Sequence, residues 1–206
     1  MTGITIIGTG NMGSAIAGVA AKGGTPVQVV ARDLDKAQAL AAQVGGTAGV
    51  IGDALTGDVV VLAVPYPALA DLARELGAQL EGKVVVDITN PVDFATFDSL
   101  AVPADGSAAA ELAELLPASS VVKAFNTNFA ATLATGELGG RPTTVVIAGD
   151  DDAKAALAAI VTAAGLAVAD GGSLKRAREL EAFGFLQLVL AVREQIGWTG
   201  GFAVHA

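Results

Sequence analysis

The stretch Ile4-Thr5-Ile6-Ile7-Gly8-Thr9-Gly10-Asn11-Met12-Gly13-Ser14-Ala15-Ile16-Ala17 decides how the rest of the 206-residue chain is read. A short β-branched run, three glycines in the spacing G-x-G-x-x-G and an Ala/Ile-rich helical start follow one another without interruption. In this context such a pattern closes a strand, turns tightly and opens a helix over a pyrophosphate. Gly8 then permits the turn, Gly10 lets the backbone approach the phosphates, and Gly13 allows close helix–sheet packing, while the helix N-terminus faces the negative charge. The loop of Gly8, Thr9, Gly10, Asn11, Met12 and Gly13 is therefore the expected dinucleotide site.

Outward from this loop, Val/Ile-rich runs alternate with longer Ala/Leu-rich segments of helical period. That alternation predicts an α/β fold, a Rossmann-type, doubly wound and mostly parallel sheet with a C-terminal helical segment. Strands are expected over 5–7, 27–31, 59–64, 84–88, 120–125, 144–148 and 167–169, with 48–51 as a further candidate. Helices are expected over 12–22, 34–44, 67–77, 108–116, 130–134 and 151–164, and residues 173–197 read as one long helix, interrupted near Gly184. Residues 1–206 form a single dinucleotide-binding domain on this reading, with 173–206 as a helical extension.

The second strand ends at Ala31-Arg32, where NAD-specific sites commonly carry an acid for the ribose 2′-hydroxyl. Arg32 suits a 2′-phosphate instead and predicts NADP(H), with Lys36 one turn later adding charge. Asp33 is the alternative ribose ligand, and implies NAD, if the strand runs one residue further.

Composition narrows the remaining classes. A net charge of −9 without a basic run excludes nucleic acid as a partner. Without cysteine there is no disulfide framework and no thiolate nucleophile or metal ligand. The run Asp150-Asp151-Asp152 reads as a helix start and not as a metal site. The start of the chain runs directly into a strand, so no secretory leader is read and a cytoplasmic location is expected. The apolar stretch 182–192 contains Gln187 and is shorter than the roughly 20 residues a membrane span needs. A helix apolar on every side must be covered on every side, which predicts a homodimer through this C-terminal helix.

The run from Ile6 to Ala17 resembles both the pyrroline-5-carboxylate reductases and the NADPH-dependent deazaflavin (coenzyme F-420, or F420) reductases. The runs Val121-Val122-Lys123-Ala124-Phe125-Asn126-Thr127, Ala148-Gly149-Asp150-Asp151-Asp152 and Gly171-Gly172-Ser173-Leu174-Lys175-Arg176-Ala177-Arg178-Glu179-Leu180-Glu181 resemble the deazaflavin reductases. Asn128-Phe129 depart from the small residue and proline expected there in that family. The resemblance implies an NADP(H)-dependent oxidoreductase that transfers hydride between NADPH and a deazaflavin or flavin, with coenzyme F420 or flavin as co-substrate. It further implies that Thr9, Asn11, Met12 and Arg32 touch the dinucleotide. Ala63-Val64-Pro65 would lie along its nicotinamide half, and Asn90-Pro91 with Ala124-Phe125-Asn126 would border the acceptor pocket.

The chain is poor in proton donors, which fits such an acceptor. Carbonyl reduction usually needs His, Tyr or Lys beside the developing alkoxide. Here His205 is terminal, Tyr66 lacks a lysine four residues on, and Lys123 is the one inner-looking candidate. A flavin or deazaflavin carries its own electron-accepting ring, so orientation of two rings suffices. The alternatives are a small imine or carbonyl reductase and a non-catalytic NADP(H)-binding module.

Overall fold

The computed structural model describes residues 2–204. Five parallel strands run with little stagger: β1 (Ile4–Ile7), β2 (Val27–Ala31), β4 (Val59–Leu62), β5 (Val84–Asp87) and β6 (Ser120–Lys123). Their register aligns Ile7 with Leu62, Leu62 with Asp87 and Asp87 with Lys123. Every strand end that the sequence marks for function therefore emerges at one edge of the sheet. With β3 (Thr47–Val50), β9 (Thr144–Ala148) and β10 (Ala167–Gly172), the sheet has eight strands in the order β10-β9-β6-β5-β4-β1-β2-β3. The β6–β9 contact is antiparallel, a single pairing of Lys123 with Ala148, and the other pairings are parallel.

The strands are near-continuous Val and Ile because helices cover both faces. On one face α1 (Asn11–Lys22), α2 (Leu34–Val44), α5 (Ala130–Thr135) and α6 (Asp151–Ala163) supply Ile16, Leu40, Leu133 and Leu157 to one core. On the other, α3 (Tyr66–Leu80), α4 (Ala108–Leu115) and α7 (Ala177–Val192) bury Leu72, Leu76, Leu112 and Ala177. The fold is thus the doubly wound α/β arrangement, and it reverses direction between β1 and β4. No helix among the described residues is long and apolar enough to cross a membrane.

Four expectations need correction. The β6 strand stops at Lys123 because Phe125, buried and bulky, takes φ +62°, a conformation incompatible with a continuing strand. The β4 strand stops at Leu62, and Ala63 to Pro65 lead into α3. The long C-terminal helix is instead a 3-10 turn (Leu174–Arg176) followed by α7, which passes Gly184 unbroken and ends where Glu194 enters φ +57°. A small hairpin of β7 (Glu137–Leu138) and β8 (Arg141–Pro142) occupies what reads as a loop.

Candidate functional site

The site begins at the sheet edge between β1 and β4. Gly8 has φ +119°, and a Cβ there would collide with the Ala63 carbonyl. A Cβ at Gly13 would collide in turn with the Gly8 carbonyl. These two glycines are required by the packing of the protein itself. At Gly10 a Cβ would meet nothing within 4 Å. That position is open on the side where a phosphate would approach, as the motif reading requires.

The first amides of α1 are equally available. Its N-cap, Gly10, makes no side-chain cap hydrogen bond, and no acid lies in the first turn. By contrast α2, α4 and α6 are capped by Asp33, Ser107 and Asp150. Unpaired N–H groups and the positive helix end fit a pyrophosphate.

Two cavities flank this ridge. The smaller, about 280 Å³, is bordered by Gly8, Thr9, Arg32, Lys36, Val64 and Pro65 among others. Arg32 is exposed at its edge. Asp33 is committed locally: its Oδ1 accepts from the Asp35 and Lys36 amides at 3.1 and 3.3 Å, and its Oδ2 lies 3.5 Å from Lys36 Nζ.

The larger cavity, about 710 Å³, is lined by Asn11 and Met12 from the loop, Asn90 and Asn126 from the strand ends, Phe129 and Trp198, together with small residues of α5 and Leu188 of α7. Among the described residues, none of those lining it carries an ionisable side chain. Phe129 and Trp198 pack at a ring-centroid distance of 5.0 Å with an interplanar angle of 55°. Asn90 and Asn126 are tied together: Asn90 Nδ2 donates to the Asn126 carbonyl and Asn126 Nδ2 to Asn90 Oδ1, each at 2.9 Å. Asn126 Nδ2 also donates to the Leu180 carbonyl at 2.8 Å, and Asn128 Nδ2 to that of Thr144 at 3.0 Å. The amide oxygens of Asn126 and Asn128 are buried without a partner among the described residues.

The expected site residues thus divide between the two cavities. Gly13 and Ala63 pack against Gly8 and line neither, and Pro91 and Ala124 are buried behind the surface. The α5 wall, Asn128, Phe129, Leu188 and Trp198 join the site without having been expected there. Only the unusual pair Asn128-Phe129 gave a local signal. Leu188 and Trp198 arrive through long-range packing, which no short motif encodes.

Two of the candidate proton donors, Tyr66 and Lys123, are engaged elsewhere. The Tyr66 hydroxyl donates to Glu111 Oε2 at 2.8 Å, outside the larger cavity. Burial, reinforced by Glu111, pushes its pKa up to about 12. Lys123 is wholly buried, with its ammonium bonded to Asp87, Glu181 and the Thr89 carbonyl. His205 lies outside the described residues. Among these no group of acids or histidines could hold a metal ion.

Comparison with known proteins gives the same picture. The family model described as "NADP oxidoreductase coenzyme F420-dependent" matches residues 3–91. The F420-dependent NADP reductase of Methanocaldococcus jannaschii is 31% identical over 174 residues, covering 80% of this chain and 78% of that protein. The metalloreductase STEAP3 of Rattus norvegicus is 38% identical over 125 residues, 60% of this chain but only 24% of that protein. A solved structure from Arthrobacter sp. FB24, provisionally assigned as an F420-dependent NADP reductase, superposes with a TM-score of 0.87 at 25% identity, with all of both chains covered.

Proposed function

We infer that this chain, which belongs to the family of F420-dependent NADP reductases, passes hydride between NADPH and a deazaflavin or flavin ring seated in the larger cavity. NADP-dependent oxidoreduction follows from membership of the family. The acceptor is the finer step. The observation that carries it is a cavity of about 710 Å³ that adjoins the open end of α1, has an aromatic wall and has no ionisable side chain among the described residues of its lining. Such a cavity can hold and orient rings, and its described lining offers no general acid to a carbonyl oxygen.

The residues present fit a bound dinucleotide, because the α1 amides are unpaired and the Gly10 position is open. When bound, NADPH supplies the hydride. The chain's own residues would do the rest. The α1 amides hold the pyrophosphate, and Arg32 contacts a 2′-phosphate. Val64 and Pro65 limit the path of the dinucleotide, while Asn90, Asn126, Phe129 and Trp198 fix the second ring. Proximity and orientation then lower the barrier by removing the entropy of bringing two rings together.

A homodimer is the assembly this reading favours. The α7 helix is inside out: Glu181 and Gln187 face inward with Gly184 and Ala191, whereas Phe183, Leu186 and Val192 are 39%, 50% and 54% exposed. From residue 182 to residue 192 it carries no charge, so two copies can meet there despite a net charge of −9 each. Sedimentation should give a dimer at micromolar concentration, and a monomer for Leu186→Asp. A wild-type monomer would remove the proposal.

The activity is tested by following NADPH oxidation with coenzyme F420, flavin mononucleotide and pyrroline-5-carboxylate. Turnover with F420 or the flavin is expected. Turnover with pyrroline-5-carboxylate alone, or with none of the three, would overturn the reading.

A further inference from the structure

Three ionised side chains meet behind the larger cavity, where neither the dinucleotide loop nor the cavity lining makes use of them. Asp87 and Lys123 end β5 and β6 on one register row and so project to the same face of the sheet. Glu181 reaches them from the second turn of α7. All three side chains are 0% exposed.

The cluster is fully bonded. Lys123 Nζ donates to Asp87 Oδ2 at 2.7 Å, to Glu181 Oε1 at 2.7 Å and to the Thr89 carbonyl at 2.6 Å. Asp87 Oδ1 accepts from the Thr89 amide at 2.8 Å. Glu181 accepts from the Ala108 and Ala109 amides at 3.0 and 3.3 Å, so the surplus negative charge faces the N-terminus of α4.

A buried ion cluster is weak grounds for stability, because apolar residues of the same volume often do as well. What this one supplies is geometry. It grips Thr89 by both its N–H and its C=O, which fixes the direction in which Asn90 leaves β5. It also holds α7 against the strand ends. About one turn beyond Glu181, Gly184 lies so close that a Cβ would stand 2.5 Å from Asn90 Oδ1 and 2.8 Å from the Asn126 carbonyl. About one turn further on, Leu188 lines the cavity.

We propose that Asp87, Lys123 and Glu181 are positioning residues for the hydride acceptor: by docking α7 on the strand ends they set the Asn90, Asn126 and Leu188 walls of the larger cavity and leave the dinucleotide loop untouched. The inference rests on that cavity being the acceptor site. It separates the two substrates, since damage to the cluster changes acceptor recognition while dinucleotide binding stays intact.

The charge on Glu181 gives a second handle. Burial holds its carboxyl above the usual carboxylate range, with Asp87 of β5 adding to the effect, against Lys123 of β6 and the Ala108 amide of α4. Tyr66 of α3 faces the same carboxylates as an uncharged phenol. As pH falls toward the raised value, Glu181 takes up a proton and loosens its hold on Lys123. Acceptor kcat/KM should therefore decline on the acid side.

The test is Glu181→Gln, which keeps an oxygen for the α4 amides but removes the charge that holds Lys123. The expected result is a tenfold or larger rise in acceptor KM, NADPH Kd within twofold of wild type, and loss of the acid limb in acceptor kcat/KM. Amide hydrogen exchange, which needs no acceptor, should quicken in α7 and at Thr89–Asn90 and stay unchanged in β1 and α1. An unchanged acceptor KM, an equal loss of both substrates, or a uniform increase in exchange would overturn the proposal. If the wild type reduces no acceptor at all, the functional reading fails and the exchange pattern alone decides the positioning role.

Discussion

On one side of the larger cavity the N-terminus of α1 leaves its amides unpaired; on the other, α7 enters through a glutamate whose oxygens are bonded to Lys123 and to two amides of α4. The first region is built to accept a partner that the chain does not supply. At Glu181 the second needs none, while its outer face carries exposed Phe183 and Leu186. Unmet hydrogen-bonding capacity at the loop suits a charged, mobile ligand. The saturated bonds of the Asp87–Lys123–Glu181 cluster beneath α7 suit a fixed wall.

Removing Lys123 should damage the second region most. Lys123→Met leaves Asp87 and Glu181 buried without their cation, and breaking a buried pair in this way costs about 3–5 kcal/mol. Urea unfolding should report that loss. A cost below about 1 kcal/mol would mean that the two carboxylates take up protons without penalty, and that the cluster does not hold α7 as its distances suggest.

At the loop the opposite split is expected. Gly10→Val adds a branched side chain where a Cβ meets no protein atom and where φ is −73°, which any residue adopts. Stability should fall by only about 1 kcal/mol, because a branched residue is a poorer N-cap than glycine. Dinucleotide affinity should fall by about a hundredfold or more, equivalent to about 2.7 kcal/mol or more. Calorimetric titration with NADP beside thermal unfolding checks both. Retained binding would show that no pyrophosphate passes over Gly10.

The same contrast explains what was legible in the sequence. The loop is encoded locally, since Gly8 and Gly13 answer demands made within a few residues or beside the adjacent strand, and Gly10 stands between them in the motif spacing. The βαβ rhythm is likewise local, and α2 falls on the expected residues 34–44, capped in the structure by Asp33 and Gly45. The α7 wall is encoded by distance. Glu181 has no partner in its own stretch of sequence, and the fold brings it Lys123, 58 residues away. Gly184 reads as a helix breaker, although its missing side chain is what lets the helix approach Asn90 and Asn126. Phe125 shows the same limit: nothing in Ala124-Phe125-Asn126 announces a left-handed residue, because the conformation is held by the packing around a buried ring.

The finest distinction lies within two adjacent residues, Arg32 and Asp33, which the sequence left open as competing ribose contacts. Asp33 has the geometry of a helix cap, with its carboxylate accepting from the Asp35 and Lys36 amides. Its ion pair with Lys36 is exposed and adds little. Asp33→Ala should therefore cost about 1 kcal/mol of stability, as loss of an N-cap does, and leave the preference between NADP and NAD where it was. Among the described residues Arg32 makes no side-chain hydrogen bond or ion pair, and it borders the smaller cavity with Lys36. Arg32→Ala should leave stability unchanged and weaken NADP by about ten- to a hundredfold, or about 1.5–3 kcal/mol, with NAD affinity hardly moved. Titrating both dinucleotides against both variants reads the two effects independently. If Asp33→Ala alters NAD affinity while Arg32→Ala spares NADP, the cap must release its amides to bind a ribose, and the assignment of the 2′-phosphate to Arg32 is lost.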